Sequence, residues 1–232
     1  LRREHLRPQA KVVLPALALG ASPFIMQSTE SLITVCFNSS LLKYGGDIAV
    51  GAMTVLSSIM QFAMMPLQGL TQGAQPIISY NYGARKPERV KKTIRLAVFY
   101  AECIMLVGFC IFQFLPDKLL GLFAASDAML RIGVPALRII SLAFPLAGFG
   151  IGASSVFQAL GNGVFSLTVS ICRQLVVLIP AAWLLSRTGE VNMVWWAFII
   201  AEVVSLALSL VFMARINRTV IVPLSEKQDA AV

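Results

Sequence analysis

A stripe of amides and hydroxyls runs along one of the most apolar parts of the chain. At about 100° per residue, Thr54, Ser57, Ser58, Gln61, Gln68, Thr71, Gln72, Gln75 and Ser79 fall within one helical face roughly 140° wide. Ile59, Met60, Ala63, Met64 and Leu70 cover much of the remainder. Hydrocarbon offers no partner to the amides of Gln61, Gln68, Gln72 and Gln75, so the stripe should face other helices or a water-filled cavity. A second stripe lies upstream. Gln27, Glu30, Ser31, Thr34 and Asn38 share a face about 100° wide at the same helical period. A carboxylate so placed can exchange a proton or help to coordinate a cation. Burial disfavours its charged form, while dipoles or a bound cation favour it, so its protonation is tied to what occupies the cavity. The structural alternative is a glutamate that clamps two helices by hydrogen bonding.

The elements that must carry these stripes are membrane spans. The 232 residues are 57% hydrophobic and only 13% charged, with a mean hydropathy of +0.79, whereas a soluble domain has about a quarter of its residues charged. The expected fold is all-α, a polytopic bundle of six transmembrane helices. They run about 13–42, 48–78, 94–115, 134–160, 164–185 and 194–213, each near the roughly 20 residues that crossing requires. Residues 1–232 are read as one unit with a tail at about 214–232. Pro66, Gly69, Gly73 and Pro76 predict tilt or bending in the second helix. The charged start at Leu1, which is not Met, suggests a piece of a longer protein.

Charge orients the bundle. Arg2, Arg3, Arg7 and Lys11, the cluster Arg85, Lys86, Arg89, Lys91, Lys92 and Arg95, and Arg215, Arg218 and Lys227 fall on one side, and Lys43, Lys118, Arg131 and Arg187 on the other. Both termini are therefore expected in the cytoplasm. The +8 net charge is mostly topogenic, with attraction to lipid headgroups as a second effect, and the short basic loop lacks the exposed aromatics of a nucleic-acid site.

Five ionisable residues lie within the spans: Glu30, Glu102, Arg138, Arg173 and Glu202. Glu202 lines up with Ser205 and Ser209 as a secondary candidate, a pattern equally typical of interhelical packing. Glu102 and Arg173 read as structural, the arginine snorkelling or paired and lying off the polar stripes. Cys36, Cys103, Cys110 and Cys172 have no paired spacing, and His5 is the single histidine, so neither a metal centre nor a cofactor is expected. No nucleophile with a base and no P-loop is present, which removes support for an enzyme. Gly148, Gly150 and Gly152 lie in an apolar helix, where close packing explains them better than a dinucleotide fingerprint.

Pro66-Leu67-Gln68-Gly69-Leu70-Thr71-Gln72-Gly73-Ala74-Gln75-Pro76 through Ala84 resembles the eighth helix and following loop of the MATE (multidrug and toxic compound extrusion) transporters, in particular the bacterial multidrug-export subgroup. Ser22-Pro23 through Gln27, Lys43-Tyr44-Gly45-Gly46-Asp47, Leu137-Arg138-Ile139-Ile140-Ser141, Phe157-Gln158-Ala159-Leu160-Gly161 and Arg173-Gln174 add to the resemblance, which runs from about Val13 to Arg215. It implies the C-terminal six-helix lobe of a twelve-helix fold, whose partner would be a missing N-terminal lobe. It further implies an antiporter in the plasma membrane that exports drugs or organic cations in exchange for protons or sodium, with lipids around it. The family's acidic residue in helix seven maps onto Glu30. A second acidic residue, found in helix ten of some subgroups, has no counterpart between Val134 and Leu160. A lipid-linked oligosaccharide flippase of the same superfamily and a non-transporting membrane scaffold are the alternatives.

Overall fold

The computed structural model describes residues 10–123, 126–187 and 191–229. Arg2, Arg3, His5 and Arg7 lie outside them, as do the side chains of Lys11, Glu30, Cys36, Asn38, Lys43 and Lys227. All regular structure among the described residues is helical.

The first helix, α1, runs Ala10–Gly83 and is broken at Gly46, where φ is 65° and ψ −167°. That backbone is open to glycine and costly for other residues, so Gly46 divides α1 into arms 10–45 and 47–83. After a short turn come α2 (Pro87–Phe114), the short α3 (Pro116–Gly121), α4 (Asp127–Ser141) and α5 (Phe144–Ala159). Helices α6 (Gly163–Ile171) and α7 (Ile179–Ser186) are joined through a π-helical stretch, Cys172–Leu178. The short α8 (Val191–Val194) leads into α9 (Trp196–Ile216), and a second π-helical stretch, Asn217–Ile221, connects it to α10 (Val222–Asp229).

Four continuous helical runs are long and apolar enough to cross a bilayer: Val50–Gly83, Pro87–Phe114, Gly163–Ser186 and Asn192–Ser225. The pair α4 and α5, bent by 56°, makes a fifth. The expected first span, 13–42, falls in the arm 10–45, most of whose side chains lie outside the described residues.

The bend falls inside the span expected over 134–160. Leu142 and Ala143 donate to carbonyls three residues back, those of Ile139 and Ile140, which tightens the chain. Pro145 then stands in the first turn of α5, where its missing N–H is harmless. Gln113 of α2 braces the corner, donating from Nε2 to the Arg138 carbonyl at 2.9 Å and to Ser141 Oγ at 3.0 Å. The π-helical stretch before α7 also has a proline beyond it. Pro180 has no N–H, and its ring would crowd the carbonyl of Val176 in a regular helix, a conflict that the wider turn relieves.

Helix α5 sits at the centre and packs against the second arm of α1, α2, α6 and α9. Its glycines make this possible. A Cβ on Gly148 would lie 2.9 Å from Glu102 Oε2, and one on Gly152 would meet Val98 Cγ2 at 3.5 Å. Phe157, fully buried, packs edge-on to Phe165 and Phe212, which stack on each other at 4.7 Å. The outside is apolar too: Phe62, Phe114 and Leu122 are each more than 70% exposed, as suits a lipid-facing surface.

Candidate functional site

The stripe on the second arm of α1 meets a second polar row on α5. Gly150, Ser154 and Gln158 recur every four residues and so share one face of α5, opposite Gln68, Thr71 and Gln75. The cleft between them, about 380 Å³, is closed by Ser170 and Arg173 before α7 and by Glu202 and Ser205 of α9. Met64, Leu67, Ile151 and Val169 complete a lining that is mostly apolar with a few convergent polar groups.

The polar groups form a connected set. Gln75 Nε2 donates to Gln158 Oε1 at 3.3 Å, and Gln158 Nε2 donates to Ser166 Oγ at 2.9 Å. Ser155 Oγ donates to the Thr71 carbonyl at 3.3 Å, and Ser79 Oγ to the Ala159 carbonyl at 2.8 Å. These bonds tie the second arm of α1 to α5 along three turns. At the far wall Arg173 Nη1 lies 2.7 Å from Glu202 Oε1, and both side chains are largely withdrawn from solvent. The pair joins the π-helical stretch to α9.

Gln68 and Gln75 therefore line the cleft, as does Glu202. Gln61 and Gln72 are exposed and off it, and the hydroxyls of Thr54 and Ser58 bond back to carbonyls one turn earlier on their own helix. Gln27, Ser31 and Thr34 are exposed on the first arm of α1, with Ser31 Oγ donating to the Gln27 carbonyl at 3.2 Å. The side chains of Glu30 and Asn38 lie outside the described residues. Arg173, read from the sequence as off the polar stripes, is on the cleft wall. Ser154, Gln158 and Ser170 also line it without standing out in the sequence. The four-residue spacing of Gly150, Ser154 and Gln158 is the signal that could have found them.

Gln158→Leu removes the acceptor of Gln75 and the donor to Ser166 together. It is expected to lower stability by about 1–3 kcal/mol, the cost of orphaning a half-buried amide, and thermal unfolding of the detergent-solubilised protein would show it.

The MatE family model matches residues 23–184 of this chain. The chain belongs to the MatE family. Two multidrug export proteins named MepA are similar to it: that of Staphylococcus saprophyticus is 24% identical over 218 residues, and that of Staphylococcus haemolyticus 25% identical over 219. These matches cover 93% and 94% of this MatE chain but 48% of each relative, so the chain spans about half their length. Among solved structures, the MATE multidrug transporter DinF-BH, solved as a complex with a ligand, superposes with a TM-score of 0.83 at 34% identity. That likeness covers 94% of this chain and 49% of the other. As a MatE protein with its apolar helical runs, the chain is a multi-pass membrane protein of a transporter family rather than an enzyme.

Proposed function

We propose that this chain is the C-terminal six-helix lobe of a secondary active antiporter, which exports drugs or organic cations across the plasma membrane in exchange for protons or sodium. The observation that carries the reading is the cleft itself. Glutamine amides, serine hydroxyls and an ion pair converge between helices whose outer surfaces are apolar, where such groups are retained at a cost. The half-length match to the MepA proteins supports a second lobe, and DinF-BH is a relative solved with a ligand in place. Gln68, Gln75 and Gln158 would orient the polar atoms of a substrate, while Met64, Leu67 and Ile151 accept varied apolar surfaces. Gln27, Glu30, Ser31, Thr34, Asn38, Gln61 and Gln72 would face the other lobe across the central cavity, with Glu30 as the coupling carboxylate. Thirteen basic residues on one side support cytoplasmic termini.

Arg173 bears on the flippase alternative. A pyrophosphate site needs uncompensated positive charge, and the cation on this cleft is held by Glu202. The pairing favours export of small molecules.

The test is ethidium flux in proteoliposomes of the full-length protein, under an imposed proton gradient and separately under a sodium gradient. Export driven by one of the two is expected and names the ion. Absence of flux under both would overturn the proposal and favour a scaffold.

A further inference from the structure

A second groove, of about 450 Å³, opens at the end of the bundle that carries the basic residues. Lys91, Ile94 and Arg95 of α2 form one wall, Phe149 of α5 the floor, and Leu210 and Met213 of α9 the other wall. Both walls change character at the same level. On α2 the exposed side chains pass from Arg89, Lys92 and Arg95 to Leu96, Phe99 and Tyr100. Along α9 and the π-helical stretch that follows it, Leu210 and Val211 are exposed before Arg215 and Arg218. Apolar side chains exposed on a spanning helix meet hydrocarbon, and exposed arginines meet headgroups, so the groove straddles that boundary. Lys91 Nζ is 3.1 Å from Glu88 Oε1 on the open rim, whereas Arg95 makes no ion pair with the described residues.

We propose that this groove holds one anionic phospholipid, with its phosphate against Arg95 and Lys91 and an acyl chain along Ile94, Phe149, Leu210 and Met213. Arg95, with Lys91 beside it in an exposed and therefore weak pair with Glu88, stands over an apolar floor and matches a ligand with a charged head and a hydrocarbon tail. A zwitterionic lipid has the same phosphate, but its own ammonium group cancels the attraction to the rim. The site is separate from the drug cleft yet shares a wall with it. Phe149 faces the lipid groove and Gly150 the cleft, adjacent positions about 100° apart around α5. A bound lipid would hold α5 in the register that builds the cleft, whichever ion drives export.

The test titrates the purified full-length protein with phosphatidylglycerol and with phosphatidylcholine of the same chains, and counts retained lipids by native mass spectrometry. One tightly retained phosphatidylglycerol is expected. Arg95→Gln should weaken it about five-fold, the effect of one basic residue near an anionic headgroup, and Arg95→Lys should preserve it. Lys92→Gln removes the same charge outside the groove and should change nothing. Met213→Trp fills the apolar wall without altering charge and should also lose the lipid, which keeps the test decisive if Arg95→Gln does not fold. Equal retention of both lipids, equal losses in Arg95→Gln and Lys92→Gln, retention undiminished in Met213→Trp, or displacement by soluble glycerol phosphate would overturn the proposal.

Discussion

Glu202→Leu is expected to destabilise the protein by about 3 kcal/mol, because it leaves the Arg173 guanidinium in a mostly apolar wall without its carboxylate. Fully buried pairs lose about 3–5 kcal/mol when one partner is removed. The Arg173 side chain keeps 27% of its exposure, which places this pair at the lower end. The double variant Arg173→Met, Glu202→Leu removes both charges and fills the space with hydrocarbon. It is expected within about 1 kcal/mol of the parent, since replacing a whole buried pair by apolar groups is often neutral. Thermal unfolding of the parent, Glu202→Leu, Arg173→Met and the double variant in one detergent gives the coupling between the two side chains. A double variant as unstable as the sum of the singles would show that the pair is not a unit.

Glu30→Gln is expected to cut ethidium efflux from a drug-sensitive host at least about ten-fold, within the range of an ordinary coupling free energy. The substitution preserves size and hydrogen bonding but removes the proton and the charge. Gln27, Ser31 and Thr34 on the same face would still contact substrate, so binding of ethidium should persist while its movement against a gradient fails. Binding by fluorescence anisotropy and efflux in cells separate the two. Undiminished efflux would remove Glu30 from the mechanism, and joint loss of binding would make it a substrate ligand instead.

The two residues show how far the sequence can be read. Glu30 stands out because its own helix surrounds it with polar groups at the right period, information that is local. Glu202 reads as helix packing, since only Ser205 and Ser209 accompany it on its own helix. What makes it notable is Arg173, 29 positions earlier and 2.7 Å away. Likewise Gln61, Gln68, Gln72 and Gln75 share one stripe, but only Gln68 and Gln75 reach the cleft. Periodicity gives a side chain's angle about its helix axis, not which neighbour covers that stretch. The bend inside the span expected over 134–160 escaped the sequence for a related reason. Pro145 is legible, but the corner also needs Gln113 from α2 to satisfy the Arg138 carbonyl.

The sequence by itself determined the solvent, the helical class and the family, because hydropathy, charge asymmetry and the glutamine-rich helix are properties of contiguous residues. Tertiary structure alone decided which polar groups meet. The Arg173–Glu202 pair, the Gln75–Gln158–Ser166 chain and the basic groove over Phe149 each join residues from different helices. The bend after Ser141 and the π-helical stretch before Pro180 lie in the helices that carry these groups, small backbone departures that rotate whole faces toward or away from one another.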